Sequence, residues 1–197
     1  MTVQNPFRPL SVTREFLYSR EFRPVTSIKF IRPVGIDGVS CQNAILQTGI
    51  DTTIQNGQVT YDAWWEWFPF AAADFPAEDI SVSAGDILTV SVTATSATSG
   101  TAEIINQSTA MAVVEDIATS PIALCMSDAE WIVEDFSVGG TLVPLANFGT
   151  VTFTGASAGT PSGSVDTSSA NTVIINQNNV DLTSALISGS TVMVAYI

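Results

Sequence analysis

After residue 27 the chain alternates apolar and polar positions with a period of two, and turn residues separate one stretch from the next. SIKFI, ILQTGIDTTIQ, QVTYDAWWEWF, DISVSAGDILTVSVTATS, GTAEIINQS and MAVVEDI read as strands. So do AEWIVEDF, GTVTFTGASA, NTVIINQNNVDLTSALI and STVMVAYI. A turn at Ala84-Gly85-Asp86 interrupts one of these runs, and GTAEIINQS with MAVVEDI forms a hairpin. SAGTPSGSVDTSSAN, residues 157–171, reads as a polar loop with little capacity to pack. No internal repeat and no helix is expected. Short strands at this spacing predict an all-β fold, an antiparallel β-sandwich or jelly roll.

One hairpin can be read residue by residue. Asn56-Gly57 is the signal for a two-residue type I′ turn, because both turn positions need positive φ. Pairing Gln55 with Gln58 fixes the register and sets Gln47 opposite Glu66. Side chains alternate across strands, so one face carries Ile45, Gln47, Gly49, Asp51, Asp62, Trp64, Glu66 and Phe68. The other carries Leu46, Thr48, Ile50, Thr52, Ile54, Val59, Tyr61, Ala63, Trp65 and Trp67, and reads as core. A slip of one residue would bury the carboxylates, so burial defends the register. Facing Gln and Glu pairs are common on solvated sheets, but exposed Trp64 and Phe68 beside acids point to a binding groove. In AEWIVEDF, Glu130, Ile132 and Glu134 share a face. If that strand lies beside residues 59–68, Glu130 joins Gln47 and Glu66 in the groove.

Charge changes the picture. All six bases, Arg8, Arg14, Arg20, Arg23, Lys29 and Arg32, fall in the first 32 residues of a 197-residue chain with a net charge of −13. From Pro33 onward there are carboxylates but no Lys, Arg or His. Lack of His excludes Ser-His-Asp and Cys-His centres and His-based zinc sites. A body without cations cannot grip a phosphate backbone, so nucleic acid is not an expected partner. Unpaired carboxylates repel near neutrality, which suits acidic surroundings. No apolar run is long enough to span a membrane as a helix. Cys41 and Cys125 allow one intrachain bridge, and two buried thiols are the alternative. If the 59–68 strand separated their segments, the two would be about 9–10 Å apart, and a bridge would need converging loop ends. Asn106-Gln107-Ser108 is a glycosylation sequon. Residues 1–33 form an atypical basic segment without a recognisable signal peptide, and read as a truncated, mis-spliced or divergent beginning; residues 34–197 form the sandwich domain.

VGIDG (34–38), CQNAILQTG (41–49), YDAWWEWFP (61–69), AEWIVEDF (129–136) and FGTVTF (148–153) together resemble the eqolisins, the fungal glutamic peptidases. The resemblance implies a sandwich of two large antiparallel sheets, concanavalin-like in form. It also implies secretion and acid endopeptidase activity on polypeptides, with no metal or cofactor. By the same resemblance Gln47 and Glu130 are the catalytic pair, while Asp37, Asp62, Trp64, Glu66 and Phe68 support it or line the cleft. Asp62 and Glu66 would orient the pair by hydrogen bonds, with Glu130 as general base then acid and Gln47 stabilising the oxyanion. Phe68 stands where a Tyr is common, and Arg32-Pro33 replaces an aromatic. A monomer is expected, with no membrane partner. Two rival readings stay open: a jelly-roll glycoside hydrolase using Glu66 and Glu130, and a catalytically impaired sandwich that binds without turnover.

Overall fold

The computed structural model describes residues 11–17, 28–135, 137–138, 141–142 and 145–197, and no helix occurs among them. In chain order the first strands are β1 (Ser11–Leu17), β2 (Ile28–Ile36), β3 (Ile45–Gln55), β4 (Gln58–Phe68), β5 (Ala73–Asp74), β6 (Leu88–Ser96), β7 (Ser99–Asn106), β8 (Met111–Ile117) and β9 (Ala129–Trp131). Then come β10 (Ser137–Val138), β11 (Thr141–Leu142), β12 (Thr150–Thr160), β13 (Gly163–Asp166), β14 (Asn176–Gln177), β15 (Val180–Asp181), β16 (Thr183–Ser188) and β17 (Thr191–Tyr196). Five strands form one sheet in the order β5-β4-β3-β2-β9, and the larger sheet runs β16-β17-β12-β1-β6-β7-β8 with β13 beside β12. β10–β11 and β14–β15 are separate small hairpins. Pairing is antiparallel throughout both large sheets.

The predicted hairpin forms in the predicted register, from Gln55 opposite Gln58 to Ile45 opposite Phe68. Asn56 and Gly57 have φ of 52° and 76°, as a type I′ turn demands. The apolar face of this sheet meets the larger sheet. Phe30, Val34, Ile36, Leu46, Ile50 and Trp67 pack with Val90, Val92, Ile104 and Phe153 in one core, giving a β-sandwich. Arg32 shares this inward face. It is buried, bonds Thr52 Oγ1 at 2.5 Å and lies 4.9 Å from the centre of the Phe30 ring.

Three segments depart from the sequence reading. Residues 157–171 are not a loop throughout, because β12 continues to Thr160 and turns back into β13, burying Ala158 and Thr167. Hairpin pairing satisfies the backbone there despite the polar composition. The run 79–83 is not a strand, although the turn before β6 is present with Gly85 at φ 93°. Within residues 1–33, Ser11–Leu17 lies in the middle of the larger sheet between β12 and β6, and Ile28–Pro33 begins β2. The remainder of that segment lies outside the described residues.

Close approach of β2 and β3 depends on Gly49, where an added Cβ would lie 2.5 Å from Arg32 O and 2.7 Å from Pro33 Cα. Backbone atoms cannot yield as a flexible side chain can. Gly49→Ala is therefore expected to lower the unfolding free energy by at least about 1–3 kcal/mol in denaturant titrations; an unchanged midpoint would contradict this packing.

Candidate active site

Three registers define the site. Glu66 lies opposite Gln47, Gln47 opposite Gly35, and Gly35 opposite Glu130. Directly opposed residues project to the same face, so one row crosses β4, β3, β2 and β9 on the side away from the core. The backbones of Gln47 and Glu130 are two strand spacings apart, about 9–10 Å. Their side chains line one cleft of about 310 Å³, together with Ile132, Glu134, Val173 and Ile174. The neighbour of β9 is β2, not the 59–68 strand, which corrects the adjacency assumed from sequence. Glu130 still reaches the same face as Gln47, because both stand opposite position 35 in register.

The orientation of Gln47 is set by Glu66. Gln47 Nε2 donates to Glu66 Oε2 at 2.5 Å, which points the amide nitrogen along the row and leaves its second N–H for another acceptor. Burial raises Glu66 above the ordinary carboxylate value, and the bond from Gln47 opposes that rise.

Glu130 is only 4% exposed. Its carboxyl sits beneath the turn at Gly38, whose added Cβ would lie 3.2–3.3 Å from the two carboxyl oxygens; Gly38 has φ 118°. Burial pushes Glu130 up to about 7; the Asp128 and Asp37 charges push the same way, and the Val39 backbone N–H opposes them. Glu130 Oε1 has no hydrogen-bond partner among the described residues. A second row holds Asp62, Asp51, Ile31 and Glu134. Burial pushes Glu134 also up to about 7, helped by the charges of Glu66, Asp51 and Asp135. Asp51 is raised by burial although it pairs with Lys29.

What holds β9 in place is a reciprocal clasp. Asp37, fully buried at φ 68°, accepts from the backbone N–H groups of Cys125, Met126 and Ser127 at 2.8–2.9 Å, and from Ser127 Oγ at 3.0 Å. Asp128 returns the contact. Its Oδ2 accepts from Ser40 N at 2.7 Å and Ser40 Oγ at 2.5 Å, and its carbonyl accepts from Asp37 N–H. Beside them Cys41 and Cys125 form a disulfide with Cα atoms 6.1 Å apart, on loop ends that converge where β2 ends and β9 begins. Asp37 thus fixes the loop before Glu130.

The remaining expected residues fare differently. Asp62 is exposed and four residues along β4 from Glu66, roughly 13 Å, so it cannot hydrogen-bond Gln47 as expected. Trp64 faces the groove side but is 4% exposed, not the exposed aromatic expected, and its Nε1 has no partner among the described residues. Phe68 is 39% exposed at the end of β4, opposite Ile45. Sequence reasoning missed Gly35, Gly38, Ser40 and Asp128. The Asp37-Gly38 pair was a readable turn signal, whereas nothing local marked Asp128. The sequon at Asn106 is unavailable to a glycan, since its buried Nδ2 donates to Ser81 O and Asp86 Oδ2 at 2.8 Å.

The carboxyls raised to about 7 make stability depend on pH with a definite sign. Between the ordinary value of 4.5 and about 7 the folded chain holds protons on Glu130 and Glu134 that the unfolded chain has lost. Their contribution is complete below 4.5 and disappears as pH rises through 7. It amounts to a few kcal/mol each, on the order of 3. Melting temperature should fall as pH rises from about 4.5 to 8, less steeply in Glu130→Gln and Glu134→Gln. A melting temperature that climbs over this interval would contradict the burial of these groups.

Comparison with known proteins meets this geometry. The family profile described as "Peptidase A4 family" matches residues 19–196. Aspergillopepsin-2 of Aspergillus niger is 46% identical over 165 residues, and scytalidopepsin B of Scytalidium lignicola 41% identical over 172. Each alignment covers 83% of this chain, which spans 58% and 64% of the two relatives' lengths. Among solved structures, aspergilloglutamic peptidase from Aspergillus niger superposes with a TM-score of 0.81 at 44% identity, over 86% of this chain and 99% of that one. Scytalido-glutamic peptidase, crystallised with a transition state analog inhibitor, gives 0.84 at 37% identity, over 100% of this chain and 96% of the other. In sequence and in fold the chain belongs to the Peptidase A4 family, the eqolisins.

Proposed function

We propose that this chain hydrolyses peptide bonds in polypeptides at acidic pH, with Gln47 and Glu130 as the catalytic pair. The observation that carries the reading is the row that brings an oriented amide and a buried carboxyl to one cleft. In the ionised form Glu130 takes a proton from a water poised on the scissile carbonyl, then returns it to the leaving amine. Gln47 donates its second N–H to the developing oxyanion, a service that needs no ionisation. Glu66 keeps the amide turned the right way.

The protonation state of Glu130 bears on both halves of the reaction. Raised to about 7, it is protonated in acid, the state that delivers a proton to nitrogen. Its unpartnered Oε1 offers a place for a water, and a donor there favours the ionised form that the first half requires. Both halves draw on side chains and water, so the reading needs no cofactor.

The polypeptide substrate is supported by the relatives. Scytalido-glutamic peptidase was crystallised with a peptide based transition state analog, and another member of the eqolisin family with the tripeptide Ala-Ile-His. The disulfide supports an oxidising, extracellular setting, and the net charge of −13 supports an acidic one. A cleft complete within one chain supports action as a monomer. Glycoside hydrolysis by Glu66 and Glu130 is disfavoured because Gln47 stands between them in the row and donates to Glu66, holding that carboxyl on the amide.

Casein digestion near pH 3 should fall by about 10²–10³ in Gln47→Ala. In Glu130→Gln it should fall by about 10²–10⁴. Circular dichroism should remain that of the parent in both. Parental turnover in either variant would reject the assignment.

A further inference from the structure

VGIDG contains a glycine whose presence the fold does not explain. Gly35 lies in β2, a buried strand position where β-branched residues usually serve. Glycine there gives up conformational entropy and offers nothing to pack. Elsewhere in this region glycine has a visible cause. Gly49 admits no Cβ because Arg32 O would lie 2.5 Å away, and Gly38 adopts φ 118°. Gly35 has neither excuse. It is not among the residues of positive φ, and an added Cβ would meet Gln47 Cβ at 3.5 Å, with Ile45 Cγ2 and Leu46 O at 3.6 Å, all ordinary contacts.

A side chain at Gly35 would instead enter the space between Gln47 and Glu130. The row sets these two on either side of Gly35, and all three share one face. A methyl group occupies about the volume of a water molecule, whose share of the liquid is about 30 Å³. We propose that Gly35 is the floor of the reaction centre, its bare backbone keeping open the place where the attacking water sits between Gln47 and Glu130. This rests on the reading of those two residues as the catalytic pair. Gly35 itself is a positioning residue, since it supplies room and no chemistry.

The test compares Gly35→Ala with Gln47→Ala and Glu130→Gln, measuring melting temperature, kcat and KM on a peptide substrate near pH 3. Alanine fits the backbone here, so the melting temperature should equal or exceed that of the parent. With the water displaced, kcat should fall by about 100-fold, while KM changes by less than about threefold because the substrate still docks. A folded Gly35→Ala with parental kcat, beside inactive Gln47 and Glu130 variants, would overturn the role of Gly35 and leave the pair standing. A sharply lowered melting temperature would overturn it too, by revealing a structural need for glycine. Parental turnover in the Gln47 and Glu130 variants would remove the pair, and this role with it.

Discussion

The alignment of Glu66, Gln47, Gly35 and Glu130 across four hydrogen-bonded strands is the constraint on which the site depends. A sheet can bring distant residues onto one face only if each pairing keeps its register, since a slip of one residue turns a side chain to the other side. Two of the three pairings are defended by burial. Leu46, Ile50 and Ile54 on β3, and Phe30, Val34 and Ile36 on β2, cannot leave the core without exposing apolar surface. The third pairing is short, because β9 spans only Ala129–Trp131. There the Asp37–Asp128 clasp and the Cys41–Cys125 bridge supply what strand length does not. Bridging residues 84 apart also removes loop freedom from the unfolded chain, an effect of about 4–5 kcal/mol in the entropic account.

Electrostatics follow from the same arrangement. The two rows place Glu130 and Glu134 on a covered part of the sheet, where the charged form loses solvation and the proton is retained. Lys29 meets Asp51 and Arg32 lies inside the sandwich, while no base follows Arg32 in the sequence. Acid relieves the repulsion among the remaining carboxylates and keeps the buried ones neutral, so the conditions that favour the fold also protonate the carboxyl proposed to deliver a proton to the leaving amine.

Legibility in the sequence tracked the range of the interaction. Asn56-Gly57 and two alternating flanks sufficed to pair Gln47 with Glu66, because a tight turn leaves one register. The face shared by Glu130, Ile132 and Glu134 was likewise readable from alternation. Which strand lies beside β9 was not, since that choice is made by side-chain bonds between residues 88 or more apart, such as Asp37 with Cys125. β1 escaped notice for a related reason: its partners β6 and β12 lie far along the chain, and its own composition carries no clean alternation. Trp64 shows a different limit, because alternation gives the face of a side chain but not what covers it. The motif resemblance singled out Asp37, yet only the structure reveals that its carboxylate bonds the loop preceding Glu130.

The most direct measurement is a crystal structure of this chain with a peptide-based transition-state analogue. The account predicts a tetrahedral centre over Gly35, with one oxygen within about 3 Å of Gln47 Nε2 and another within the same reach of the Glu130 carboxyl. An analogue seated in the cleft with its tetrahedral oxygens out of reach of either side chain would contradict it.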